Sequence, residues 1–252
     1  MLRGIDTYVR SPFYKAVLGD LIGNSFFATD GEQWRSHRKV AVSMFSRNLL
    51  REAARIARDH TGLLVDVLKK SSDNRSSIEM KGLFIALTMD AFAEVAFDVK
   101  FHSIEVLRAN KKPHPVATAY TLCKGRIFER LSSLFWKQEK WLTARGMLNN
   151  KREKDIMHCR KVLNEFADGV IAAKRRTAGA GGQLGADLIS RFIETKRNDL
   201  SRDVRDFSTQ DLKDTLLTFM FAGYDSTSAL LTWTFYELCR HPQYQQKIRE
   251  VL

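Results

Sequence analysis

The sequence predicts a mainly α-helical protein, and three observations support this prediction. Only four prolines and 14 glycines, the residues that most often interrupt helices, occur among its 252 residues. Apolar residues recur mostly at intervals of three and four, whereas the strict apolar and polar alternation of a half-buried strand is scarce. With 44% hydrophobic residues, the chain can bury a sizeable core. We expect a single domain over residues 1–252.

Candidate capping residues mark the first helices. Asp30 precedes a short basic helix expected at residues 34–45, and Ser46 precedes a longer amphipathic helix. A polar loop is expected at residues 71–77. The apolar stretch at residues 78–99 then predicts a helix that is buried on most sides.

Two more helices are expected before a flexible loop. Pro113 and Pro115 break the chain ahead of a helical stretch at residues 116–134. The highly charged Lys151–Arg176 segment predicts a long surface helix. Its core-facing stripe would consist of Val162, Phe166 and Val170. The segment at residues 177–186 is rich in glycine but lacks Gly-x-Gly-x-x-Gly, so it predicts a linker-like loop and not a phosphate site.

The longest predicted helix spans Thr209–Arg240. Ser208 and Asp211 have the spacing of a capping box, and Pro242 prevents the helix from continuing. At about 1.5 Å per residue, such a helix is about 48 Å long and crosses the whole domain.

Small and polar residues interrupt the apolar middle of this helix. Ala222 and Gly223 would allow a bulky, flat group to approach the backbone. Asp225 adds an ionisable group, and the hydroxyls of Ser226 and Thr227 can hydrogen-bond to the carbonyl four residues back. At this point the alternatives are a transmembrane span and a core helix whose polar side chains are satisfied internally.

The formal net charge of +12 favours acidic partners: nucleic acid, an anionic membrane face or an acidic protein. We expect no nucleic acid, because basic residues are interleaved with acidic ones and no aromatic platform is apparent. Cys123, Cys159 and Cys239 are too scattered for a disulfide framework or a zinc site, which favours a reducing compartment. A non-catalytic, basic helical membrane- or lipid-binding protein, with Lys137–Arg176 as its surface, is an open alternative.

The segment AGYDSTS, preceded by TLLTFMF and followed by ALLTWTFYELCRHPQ, resembles the central long helix of the cytochrome P-450 superfamily of haem-thiolate monooxygenases. The family pattern is Ala/Gly-Gly-x-Asp/Glu-Thr-Thr/Ser, and Ser226 departs from it by replacing the first threonine. The resemblance implies that Asp225 and Ser226 deliver protons to the oxygen at the haem, with Thr227 as an alternative hydroxyl. It places Ala222 and Gly223 beside the haem.

A second segment, FFATDGEQWRSHRK, resembles the Trp-x-x-x-Arg helix of the same family. Trp34 and Arg38 would donate hydrogen bonds to the haem propionates, and His37 and Arg35 are weaker candidates for the same role. An exposed basic helix with one packed tryptophan is the alternative. Arg35 and Lys39 could also contact an acidic reductase, although solvation alone would explain their charge.

The resemblance implies a haem cofactor, NADPH electrons supplied through a reductase or similar redox partner, and an apolar small-molecule substrate. Both segments are most similar to the eukaryotic branch that hydroxylates fatty-acid chains at or near the ω end. Phe219 and Phe221, with Phe26 and Phe27, would line the substrate pocket or belong to an ordinary core. The complete protein is expected at the endoplasmic reticulum membrane, on its cytosolic face.

Two elements of the family pattern do not follow the long helix: a Glu-x-x-Arg helix and the Phe-x-x-Gly-x-x-x-Cys-x-Gly loop that supplies the axial thiolate. No cysteine of the chain lies in such a loop, so we expect no metal ligand here. Glu52-x-x-Arg55 and Glu237-x-x-Arg240 are expected to be helical ion pairs. We therefore expect a fragment that lacks the N-terminal sheet and anchor and is inactive alone, or the relic of an enzyme.

Overall fold

The structure, a computed structural model, describes residues 9–42, 45–109, 111–185, 187–198 and 207–251. Within these ranges the chain forms eleven α-helices and no β-strand, which confirms the mainly α prediction. The helices are α1 (Pro12–Ile22), α2 (Gly31–Val42), α3 (Arg47–Asp73), α4 (Met80–Phe97), α5 (Ser103–Arg108), α6 (Pro115–Glu129), α7 (Trp136–Ala144), α8 (Lys151–Gly179), α9 (Leu188–Asn198), α10 (Thr209–Arg240) and α11 (Pro242–Val251).

Helix α10 is the central element of the fold, and it packs against α4, α8 and α1. It has the predicted bounds, and both hydrogen bonds of the Ser208 and Asp211 capping box are present. Buried hydrogen bonds attach its first half to its neighbours. The Tyr120 hydroxyl on α6 donates to the carbonyl of Leu217 over 3.0 Å.

A buried ion cluster joins α1, α8 and the short 3-10 turn that follows α6. The Arg130 guanidinium is fully buried and donates two hydrogen bonds to the Glu153 carboxylate, at 3.0 and 2.5 Å, and one to Asp20 at 2.7 Å. Burial opposes ionisation of Asp20, but hydrogen bonds and charges from Lys140, Arg160 and Arg130 outweigh it and lower its pKa. The cluster is therefore paired on all sides, as a buried charge must be.

Several predicted boundaries are displaced in the structure. Helix α3 continues to residue 73, so the polar loop expected at residues 71–77 is shorter than predicted. Helix α8 continues to Gly179, which shortens the linker expected at residues 177–186. Helix α6 ends at Glu129, and a short 3-10 turn follows it, where the sequence predicted helix to residue 134. Hydrogen bonding at a helix end is weakly encoded by periodicity, which explains these differences.

The buried face of α8 differs from the predicted stripe. Val162, Phe166 and Val170 are only half-buried and flank the core. The buried positions lie one residue later along the helix: Ile156, Cys159, Leu163, Ala167 and Ile171. Helix α6 packs against α8, and the fully buried residues form the side of α8 that lies in the core.

Both short Glu-x-x-Arg strings form ion pairs within one helix, as expected. The Arg55 guanidinium lies 2.6 Å from the Glu52 carboxylate, and Arg240 lies 3.8 Å from Glu237. All four side chains are at least half exposed, so neither pair contributes much to stability.

Candidate functional site

The segment Ala222–Ser228 lies where α10 leaves the core. Residues 212, 214–220 and 224 are buried, whereas most side chains after Ser228 are exposed. Leu230 and Trp233 have 67% and 64% of their surface accessible. Nowhere in the described ranges does a helix combine the length and apolar character that a bilayer span requires. The segment therefore lies between a buried part and a solvent-exposed part of one continuous helix.

Gly223 lies against α4. A Cβ atom at Gly223 would lie 2.2 Å from the ring of Phe92, so only glycine fits this contact without a shift of the ring. Gly223, Phe219 and Thr227 also line an apolar groove of about 500 Å³ between α3, α4 and α10. Part of the predicted notch is thus explained by the close packing of α10 on α4.

Ser226 lies one turn after Ala222 and Gly223 on α10, at the spacing of four residues from Ala222 and three from Gly223. Its hydroxyl donates to the Ala222 carbonyl over 2.7 Å, which is the bond to the fourth residue back that the sequence predicted. The helix stays α-helical throughout, so this bond does not break it. Ser226 and Thr227 are both exposed.

Asp225 is held by a residue that the sequence analysis did not identify. The Lys124 ammonium on α6 forms an ion pair with the Asp225 carboxylate and lies 5.7 Å from the ring centroid of Tyr224. The Asp225 side chain is 41% exposed, so the pair is accessible to water. No local pattern signals this contact, because 101 residues separate the two partners.

Helix α2 divides its predicted haem-binding residues between two faces. The Arg38 guanidinium lies 5.5 Å from the ring centroid of Trp34, and these side chains are exposed and half-buried, respectively. His37 is buried and stacks on Phe207, with ring centroids 5.3 Å apart. Trp34 and Arg38 therefore lie together toward solvent, and His37 faces the core.

The phenylalanines proposed for the substrate pocket form two separate groups. Phe26 packs on Phe27 and on Phe219, with ring centroids 4.4 and 5.1 Å apart. Phe221 instead stacks on Phe128 of α6, with centroids 6.5 Å apart and an interplanar angle of 19°. Phe128 follows Lys124 by one helical turn, so one face of α6 contacts both Asp225 and Phe221. Sequence reasoning missed Phe128 for the same reason that it missed Lys124.

Among the residues that the structure describes, Cys123, Cys159 and Cys239 have no ligand set around them. Burial raises the pKa of the Cys123 thiol to about 12 and also raises that of Cys159, so neither thiol ionises near neutral pH. Cys239 is exposed on α10. Within the described ranges, no group of three or more His, Cys, Asp or Glu side chains could bind a metal ion.

The family model for cytochrome P450 matches residues 6–251. The chain belongs to the cytochrome P450 family. The crystal structure of the cytochrome P450DA heme domain has the same fold, with a TM-score of 0.73, 20% identity and coverage of 95% of this chain and 47% of that chain. Our α10 and α2 are therefore parts of a cytochrome P450 fold, and the mainly α, partial P450 architecture is confirmed.

Curated relatives match nearly the whole of this P450 chain. Cytochrome P450 704C1 of Pinus taeda is 27% identical over 96% of the chain and 46% of its own length. Cytochrome P450 4d8 of Drosophila melanogaster is 26% identical over 99% of the chain and 54% of its own length. The chain thus spans about half the length of these relatives.

Proposed function

We propose that the complete protein is a haem-dependent monooxygenase that inserts one oxygen atom of O2 into an apolar substrate, a fatty-acid or other lipid chain. One observation carries the proposal. An ion-paired, solvent-accessible carboxylate at Asp225 directly precedes the exposed hydroxyl of Ser226, at the point where α10 leaves the core. A carboxylate beside a hydroxyl is a suitable route for protons entering a site from water.

The residues fit a haem by their chemistry. The Trp34 indole and the Arg38 guanidinium are hydrogen-bond donors on one accessible face of α2, which suits the two propionate carboxylates. Ala222 has a small side chain beside Ser226, which leaves room for a flat macrocycle on that face of α10. Haem, when bound, supplies the iron that activates dioxygen. His37 is not proposed as a propionate ligand, since it is buried against Phe207.

Proton movement is assigned to three side chains of α10. The Asp225 carboxylate exchanges protons with water while Lys124 holds its position. The Ser226 hydroxyl donates to the Ala222 carbonyl and can rotate to pass a proton to the active face. Serine lacks the β-methyl that restricts the side-chain torsion of threonine, so its hydroxyl is held less firmly. Thr227 is the alternative proton donor. It lines the groove between α3, α4 and α10, so it offers a less direct proton route than Ser226.

An apolar substrate would contact Phe221 and Phe128 on the α6 side of α10. Their ring pair lies next to the Lys124 and Asp225 pair on the same face of α6. Phe219 is buried, packs on the half-buried Phe26 and is assigned to the wall behind this contact. A long acyl chain matches such an aromatic surface better than a polar substrate would.

Electron supply and location are proposals for the complete protein as well. NADPH electrons would reach the haem through a reductase with an acidic face, and the net charge of +12 supports such a partner. Lys39 is exposed on α2 and is one candidate contact. We place the complete protein on the cytosolic face of the endoplasmic reticulum membrane. This chain alone would be inactive, because the axial thiolate must come from another part of the protein.

Reconstitution of the complete protein tests this function. The protein is combined with reductase, NADPH, 18O2 and dodecanoate. The expected product is a hydroxydodecanoate that carries one 18O atom. Substrate turnover without 18O incorporation, or no oxidised lipid under conditions where the haem is reduced, would contradict the proposal. The 252-residue chain, given haem and a reductant, is expected to show no thiolate-type carbonyl spectrum.

A further inference from the structure

The connection between α1 and α2, residues 23–30, is attached to the first half of α10 by two side chains. The Asp214 carboxylate accepts a hydrogen bond from the Asn24 N–H over 2.7 Å. The Thr218 hydroxyl donates to the carbonyl of Ile22, the last residue of α1, over 3.3 Å. Asp214 and Thr218 are four residues apart, so one face of α10 holds the end of α1 and the start of the connection.

The backbone at Gly23 fits the Asp214 carboxylate closely. Gly23 has a φ of +51°, in the left-handed region that favours glycine. A Cβ atom at Gly23 would lie 2.1 Å from the carboxyl carbon of Asp214, so a larger residue would overlap it. The Gln210 side chain donates to the other carboxylate oxygen over 2.6 Å. Both oxygens of this buried carboxylate are therefore bonded, which fixes the chain after α1 against α10.

The residues after this attachment form one compact turn. The Ser25 carbonyl accepts hydrogen bonds from the backbone N–H groups of Ala28 and Thr29, at 2.8 and 3.0 Å, and from the Thr29 hydroxyl at 3.0 Å. These three residues are buried. Their bonds enclose Phe26 and Phe27 within the turn, so the attachment to α10 also fixes the position of the two rings.

Phe26 links this attachment to the proposed oxidation site. Its ring packs on Phe219, with centroids 5.1 Å apart, and Phe219 directly follows Thr218 on α10. Phe219 lines the apolar groove between α3, α4 and α10 together with Gly223 and Thr227, which lie one and two turns later. A shift of the turn would therefore remove the support of the wall that Phe219 forms.

From these contacts we infer that Asp214 and Thr218 are positioning residues that decide which carbon atom of an acyl chain is oxidised. They act through Phe26, whose ring supports Phe219 behind the substrate. Neither side chain is placed to touch a substrate, since both are buried and bond to the end of α1 and the connection. The inference rests on the proposed function, because it concerns the position of oxidation.

Amide hydrogen exchange in the complete, haem-loaded protein tests the attachment without turnover. Thr218→Val keeps the shape of the side chain and removes the hydroxyl that bonds to Ile22. Thr215→Val is the matched control, because Thr215 is also buried on α10, at 1% exposure against 0%, and its hydroxyl has no hydrogen-bond partner among the described residues. Exchange in residues 22–29 should become about three- to tenfold faster in Thr218→Val, as expected for loss of one hydrogen bond, and stay unchanged in Thr215→Val.

Variants of Asp214 test the same attachment with a larger expected effect. Asp214→Ala removes the acceptor of the Asn24 N–H, so exchange of this amide should become about tenfold faster or more. Asp214→Asn keeps an oxygen that can accept the bond, so it should restore most of the protection. Unchanged exchange in Asp214→Ala would show that the turn is held by other contacts, which would overturn the inference.

The isomers of hydroxydodecanoate formed from dodecanoate test the effect on specificity. Thr218→Val and Asp214→Ala should each lower the ratio of the main isomer to the others about threefold or more, because a small misplacement changes the carbon that is presented. Thr215→Val should keep the parent ratio. Phe26→Ala should have the effect of Asp214→Ala, and combining the two should add nothing further, since both act at one contact.

Failure of this inference and failure of the proposed function give different results. If the parent protein forms no hydroxydodecanoate, the proposed function is wrong, and the position of oxidation is lost with it. If the parent protein forms the product, and the variants exchange faster at residues 22–29 but keep its isomer ratio, the proposed function stands and this inference is wrong. A lower kcat with an unchanged isomer ratio would likewise show only a structural role for Asp214 and Thr218.

Discussion

The two halves of α10 have the same secondary structure and opposite surroundings. In the first half, Leu212, Leu216 and Thr218 are buried and the helix is covered by its neighbours. In the second half, Leu230, Trp233 and Tyr236 are exposed, although their side chains are as apolar as those of a core. The comparison shows that helix formation and burial are independent here, and that the polar segment Ala222–Ser228 lies at the change between them. In the proposed function the haem lies beside Ala222, at this change.

The largest expected effect comes from truncating one leucine in each half. Leu216 is completely buried, so Leu216→Ala should lower the free energy of unfolding by about 2 to 5 kcal/mol. Leu230 is 67% exposed, so Leu230→Ala should change the free energy of unfolding of this chain by less than about 0.5 kcal/mol. Urea denaturation of both variants measures the difference. Equal losses would show that the second half is covered in solution.

A smaller effect is expected at the junction between the halves. Gly223→Ala forces the new methyl into the ring of Phe92, so it should lower the free energy of unfolding by about 1 to 3 kcal/mol. The control is Gly169→Ala on the exposed side of α8, where a Cβ meets no atom within 4 Å. That variant should raise stability by about 0.5 to 1 kcal/mol. If Gly223→Ala is also stabilising, α10 does not pack closely on α4.

Asp214, in the buried first half of α10, should make the stability of the protein depend on pH. Burial raises the pKa of Asp214, although hydrogen bonds from the Asn24 N–H and the Gln210 amide partly oppose this. Its folded pKa lies above the unfolded value of about 3.9, so its contribution is full below that pH and is lost as pH rises through the folded pKa.

Asp214→Asn removes this titration. The free energy of unfolding of the variant, relative to that of the parent chain, should therefore increase as the pH is raised from about 3 to 7. Thermal melts at a series of pH values measure it. A relative stability that falls over this interval would mean that Asp214 is stabilised as an ion.

The smallest effect on stability is expected from the ion pair of Asp225, where α10 leaves the core. Lys124→Gln removes the half-buried partner of the 41% exposed Asp225 carboxylate, and the free energy of unfolding should fall by only about 0.2 to 1 kcal/mol. Arg55→Gln, which removes the exposed pairs to Glu52 and Asp59 on α3, is the control, and its effect on stability should also be small. A loss of several kcal/mol for Lys124→Gln alone would mean that the pair is buried in solution.

Sequence reasoning succeeded where the signal is local. The bounds of α10 follow from the Ser208 and Asp211 capping box and from Pro242, and the Ser226 bond to Ala222 follows from spacing within one helix. The family assignment rests on the same short segment and is confirmed. These features need no knowledge of the tertiary fold.

Contacts between distant parts of the chain were not predictable. The partners of Asp225 and Phe221 are Lys124 and Phe128, which lie about 100 residues earlier and have no distinguishing pattern around them. The buried face of α8 lies one residue beyond the predicted stripe, because two neighbouring apolar stripes run along this helix and spacing alone does not show which one the fold covers. The short helices α1, α5, α7 and α9 have too few turns for periodicity to reveal.

The most direct test of the proposed proton route is the ratio of hydrogen peroxide to oxidised lipid formed by the complete protein. Ser226→Ala removes the hydroxyl that bonds to Ala222, and Thr227→Val removes its neighbour while keeping the shape. We expect Ser226→Ala to raise the ratio about tenfold or more, within the range for loss of a positioned proton donor, and Thr227→Val to leave it close to that of the parent protein. An unchanged ratio in Ser226→Ala would contradict the assignment of this hydroxyl to proton delivery.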